Sequence, residues 1–137
     1  MKQIKSKNRV KEYAEVFTAE REVKAMCDLI SSDIWENVKS TFLEPACGTG
    51  NFLVEILSRK YSQCKTEKDG LKALASVVGI DIQQDNVEEC RERLLRQYIE
   101  RFPNANELSV IMASGILKNN IICGNSLEIM KKWEEKQ

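Results

Sequence analysis

Short unbroken apolar runs alternate with amphipathic stretches along this chain. The runs are Thr41-Phe42-Leu43, Ser76-Val77-Val78-Gly79-Ile80-Asp81-Ile82 and Ile121-Ile122-Cys123. Runs this short, without polar alternation, predict strands buried on both faces. The stretches between them have helical spacing. Val23, Met26, Cys27 and Ile30 share one face of a helix predicted over about residues 19–31, with Thr18 placed to cap it. Phe52, Leu53, Ile56 and Leu57 form a second stripe, and Val87, Cys90, Leu94, Leu95, Tyr98 and Phe102 a third. Asp85 or Asn86 stands where the cap of that third helix belongs, and Pro103-Asn104 stops it. Residues 58–70 are polar and read as a helix end and a loop, with a short helical turn at Leu71, Leu74 and Ala75. A partly helical stretch is expected up to Lys118, and a final helix starts near residues 126–135.

The resulting order is a helix followed by β-α-β-α-β. Such alternation predicts an α/β chain with a parallel sheet and crossover helices. Sheets of this kind bind ligands beyond the carboxyl ends of their strands. Three polar groups fall there: the segment from Glu44 to Gly50, Asp81, and Asn125 with Ser126.

Composition narrows the chemistry. The 137 residues suit one domain. Twenty-one Lys and Arg balance 21 Asp and Glu, so no global positive field collects nucleic acid or anionic membrane. The chain has no histidine, which removes imidazole bases, triads and the commonest metal ligand. Its five cysteines contain no Cys-x-x-Cys pair. Reduced thiols, no metal site and a cytoplasmic location are therefore expected. No apolar run reaches the ~20 residues of a membrane helix, and the basic start lacks the apolar core of a secretory signal. Lys2, Lys5, Lys7, Arg9 and Lys11 make up either a solvated terminus or an arm for nucleic acid.

The first turn, Leu43-Glu44-Pro45-Ala46-Cys47-Gly48-Thr49-Gly50, has two glycines one residue apart. They either let backbone approach a ligand or simply make a tight strand-to-helix turn. A dinucleotide fingerprint would need a third glycine where Leu53 stands, and no phosphate-loop motif occurs. Glu44 would also repel a pyrophosphate. At ~6 Å and an effective dielectric of ~20, two unit charges interact by roughly 3 kcal/mol. A ligand with a positive group fits this turn better. Asp81 can accept ribose hydroxyls, or serve as an acid favoured near a helix N-terminus. Ile82 offers an apolar wall for a base. Asn125 can bond an adenine edge, or cap the helix that follows.

These residues resemble the S-adenosylmethionine-dependent N6-adenine DNA methyltransferases of restriction–modification systems. Residues 43–53 resemble that family's cofactor motif, a strand followed by acid-Pro-x-x-Gly-x-Gly-x-Phe. Residues 14–30 resemble the preceding motif, where Phe17-Thr18 leads into a helix, and residues 79–94 and 120–127 resemble the second and third motifs. The resemblance implies a partial Rossmann-like class I methyltransferase fold, three-layered around a parallel sheet and truncated after its third strand. Residues 1–137 would form one cofactor-binding domain, with a helical segment at 1–35 and the core at 41–137. It implies S-adenosyl-L-methionine as the cofactor. Thr18, Ala46, Gly48 and Gly50 would hold its methionine part, with Glu44 near the ammonium, and Phe17, Cys47 and Ser126 would also belong to the cofactor site. Asp81 would bind the ribose, Ile82 and Leu127 would enclose the adenine, and Asn125 would bond its edge.

Asn125 stands where an Asp is frequent in the family. The family's catalytic motif, an Asp, Asn or Ser before Pro-Pro and an aromatic, is absent: the only prolines are Pro45 and Pro103. No catalytic residue is assigned, and methyl transfer by this chain alone is not expected. DNA would be a partner through the complete enzyme. The expected open edge of strand 41–46 would be paired in a homodimer or covered by a terminal segment. Two other readings stay open: a methyltransferase acting on RNA, protein or a small molecule, and a non-catalytic remnant or interaction module.

Overall fold

The computed structural model describes residues 19–136. Phe17, Thr18 and the basic segment 1–11 lie outside them. Helix α1 (Glu20–Cys27) and the short α2 (Ser32–Glu36) precede β1 (Phe42–Glu44). Then come α3 (Asn51–Tyr61), α4 (Glu67–Ala75), β2 (Val77–Asp81), α5 (Gln84–Arg101), α6 (Glu107–Asn120), β3 (Ile121–Cys123) and α7 (Ser126–Glu135). The chain is α/β with a three-stranded sheet ordered β1-β2-β3. Both pairings are parallel, with Glu44 beside Gly79 and Asp81 beside Cys123. All three strands therefore end on the same side, and β1 lies at one edge of the sheet among the described residues.

The apolar stripes become the core. Leu53, Ile56 and Leu57 of α3 are buried, as are Val87, Cys90, Leu94 and Tyr98 of α5. They cluster with Val77 and Ile121 on one face of the sheet, while Tyr61, Tyr98 and Phe102 stack edge-on beneath. Alternation along β2 turns Val78 and Ile80 to the other face. There Ile80 is buried, Val78 and Ile122 are half-buried and Leu43 is exposed.

Lys60 is fully buried, and its Nζ donates to the carbonyls of Val38 and Ser40 while lying over the Phe42 ring. This ties the segment before β1 to α3. Burial pulls the lysine down to about 8, since a charged ammonium is poorly solvated there.

Several expectations are corrected. The first helix ends at Cys27, and Met26, expected inward, is exposed. Neither Asp85 nor Asn86 caps α5: Gln83 is its N-cap residue, and Asn86 is buried inside the first turn. The polar stretch 58–70 is not a simple loop, because α4 starts at Glu67 with Thr66 Oγ1 accepting from Asp69 N. Gly70 concealed it. A Cβ there would come within 2.3 Å of the Phe102 ring, so the glycine marks close packing of α4 against the residue that ends α5, and not a turn. Among the described residues, no helix is long and apolar enough to cross a membrane, and no three acids or cysteines converge as a metal site.

Candidate functional site

The glycine turn is fastened from both sides. Cys47 N donates to Ile80 O at 2.9 Å, extending the β1–β2 ladder past the end of β1. Gly48 and Gly50 have φ of 56° and 99°, a left-handed backbone that side chains disfavour. Gly50 is the N-cap residue of α3 and has no side chain to satisfy the first helical amides. A Cβ on Gly50 would come within 2.9 Å of Cys90 Sγ, and one on Gly79 within 2.8 Å of Leu53 Cδ1. The turn therefore sits directly on α5 and β2.

Asp81 closes the turn. Its Oδ2 accepts from Gly48 N at 3.0 Å. Its Oδ1 accepts from Gln83 N at 2.8 Å and from Asn86 Nδ2 at 3.1 Å. The acid at the second strand end thus touches the glycine turn at the first, a juxtaposition of residues 33 apart in sequence.

Glu44 stands on the same side. Its Oε1 accepts from Ala46 N at 3.2 Å, and among the described residues no Lys or Arg pairs with it. Burial pushes its carboxyl above the usual range, and the Ala46 bond only partly offsets this. A half-buried carboxylate without a counter-ion favours a cationic visitor. Cys47 is unsuited to nucleophilic work. A hydrogen bond with Cys90, then burial, then the nearby acids Asp81 and Glu44 push its thiol far up, so it stays protonated.

At the third strand end, Asn125 Oδ1 accepts from Glu128 N at 3.1 Å, so the amide does cap α7. Gly124 N donates to Asp81 O at 3.0 Å, which ties this end to the second. Ile82 is 52% exposed and Leu127 77% exposed, so both side chains have apolar surface uncovered at this end. Glu44, Ala46, Cys47, Gly48, Gly50 and Asp81 are thus linked by the turn. Asn125, Ser126 and Leu127 start α7 next door.

Sequence reading missed the support from α5. Arg93 Nη1 donates to Thr49 O at 2.8 Å, Asn51 Oδ1 at 2.9 Å and Thr49 Oγ1 at 3.3 Å. Gln97 Nε2 donates to Val54 O at 2.8 Å. Asn86, Cys90, Arg93 and Gln97 are spaced four, three and four apart, one helical face. Polar residues repeating at helical spacing beside an apolar stripe were the available signal.

Comparison of the chain with protein-family models, with curated proteins and with solved structures returned no match.

Proposed function

We propose that this chain is the S-adenosylmethionine-binding part of an N6-adenine DNA methyltransferase of Rossmann-like class I fold. The observation that carries the reading is the bond between Asp81 Oδ2 and Gly48 N. It joins an acid and a glycine turn at neighbouring ends of a parallel sheet, where nucleosides bind. The half-buried Glu44, lacking a cation among the described residues, fits a ligand that carries an ammonium and no phosphate.

The residues fit such a ligand with one adjustment. A carboxylate offers about four acceptor positions, and three donors already occupy Asp81. A ribose diol takes the remaining position and competes with one of these donors. Ile82 and Leu127 supply apolar surface for the adenine, and Nδ2 of Asn125 supplies a donor for its edge. When bound, the cofactor supplies an electrophilic methyl group. The chain's own residues bind and orient it. No base-holding Pro-Pro-aromatic motif is present in the sequence, so the methyl-accepting half of the reaction needs another polypeptide segment.

Calorimetric titration of the full chain tests this. S-adenosylmethionine is expected to bind while ATP and NADH do not. Asp81→Ala is expected to lose at least about tenfold in affinity, roughly 1.4 kcal/mol, with its circular dichroism retained. Binding of none of the three, or equal binding by Asp81→Ala, overturns the reading. The three bonds to Asp81 favour a second reading, in which it is a structural staple of the turn. That reading expects Asp81→Ala to lower the melting temperature with no ligand in play.

A further inference from the structure

Helix α6 is apolar on two opposite faces. Ser109, Ala113 and Leu117 are buried against the domain, where α6 packs on α4 and α5. On the other side Leu108, Ile111 and Met112 are 64%, 61% and 49% exposed. Gly115 continues that outer row at helical spacing. A helix apolar all round belongs in an interior. This one has an interior on one side only, and three large apolar side chains on consecutive turns form a patch that favours a partner.

The outer row matches itself under two-fold rotation. In an antiparallel pair centred between Ile111 and Met112, Leu108 of each copy lies opposite Gly115 of the other. A Cβ on Gly115 would meet nothing within 4 Å, so the partner's leucine has room there. The same rotation brings Glu107 of one copy to the flank that carries Lys118 of the other, within one helical turn. Both side chains are exposed and lack ion-pair partners among the described residues. A parallel pair would set Leu108 against Leu108 and Gly115 against Gly115, and would carry Glu107 and Lys118 of the two copies to opposite flanks. The antiparallel arrangement alone satisfies shape and charge together, as an isologous interface requires.

We propose that α6 is a self-association surface: two copies of this chain dimerise through antiparallel α6 helices, Leu108 seated over Gly115 and Glu107 facing Lys118 across the interface. Two helices of this length bury less than a standard interface, so the dimer is a weak, reversible one.

Sedimentation equilibrium of the full chain from micromolar to millimolar concentration tests this. A reversible dimer is expected. Ile111→Glu is expected to weaken it at least about tenfold, with unchanged circular dichroism because the side chain is exposed. Glu107→Lys and Lys118→Glu should each weaken it, and mixing these two variants should restore association. That restoration depends on the antiparallel pairing and not on folding. A monomer throughout, or a dimer that Ile111→Glu leaves intact, overturns the proposal. So does a dimer abolished by Leu43→Lys alone, which would place the contact at the β1 edge, or a mixture that fails to recover.

Discussion

At the scale of single residues, the turn between β1 and α3 depends on atoms that are missing. Gly50 combines a φ of 99° with a neighbour, Cys90 Sγ, 2.9 Å from where a Cβ would sit. Gly50→Ala should therefore cost more than the ~1–2 kcal/mol of left-handed strain alone, because Cys90 is fully buried and cannot move aside cheaply. Urea unfolding measures this directly, and an unchanged midpoint would show that the turn yields freely. Asp81 is the complementary case, a side chain that replaces missing backbone partners. It accepts from two backbone amides and one buried asparagine, and so it fixes the turn with no ligand present. The acid was recognisable from its place after an apolar run. Its bond to Gly48 was not, because that hydrogen bond spans 33 positions of sequence.

At the scale of elements, α5 acts as the template. One face buries Val87, Cys90, Leu94 and Tyr98, and the adjoining polar row reaches across to α3 and the turn. Arg93 takes a position that the macrodipole disfavours, since its cation lies at the N-terminal end of α3. Its three hydrogen bonds compensate. Arg93→Met should speed amide exchange across residues 48–51 in the ligand-free protein and lower stability by about 1–2 kcal/mol. Arg93→Lys should recover part of both, since an ammonium keeps the charge but not the fork. Unchanged exchange in Arg93→Met would mean that the turn is held by Asp81 alone. The elements also differ in how legible they were. α5 and the three strands follow from periodicity. α4 does only over its last turn at Leu71, Leu74 and Ala75, since Gly70 and its polar start resemble a loop until the Phe102 ring is placed against it. α6 gave no clear period because both of its faces are apolar.

At the scale of the whole molecule, burial sets the electrostatics. Among the described residues Lys60 is the deepest cation, and its folded-state value near 8 lies below the ordinary 10.5. Between those values the unfolded chain holds more protons than the folded one, so this residue's contribution to stability rises with pH across that window. Below it, the folded protein carries the full cost of a buried ammonium. The stability of the wild type relative to Lys60→Met should therefore increase from about pH 8 to 10.5, as followed by urea unfolding at a series of pH values. A flat difference would show that the two carbonyl bonds already solvate the charge completely.

The sequence by itself determined the α/β order, the three strands and the candidate acids and glycines at their ends. These features are local: apolar run length, helical spacing and the residue that follows a strand all lie within a few positions. Only the tertiary structure decided that Asp81 bonds Gly48, that Arg93 grips Thr49 and Asn51, and that α6 is left with an uncovered face. Those outcomes depend on parallel pairing and helix packing between segments tens of residues apart. Side-chain patterns record which positions favour burial, and they do not record which distant group will lie opposite.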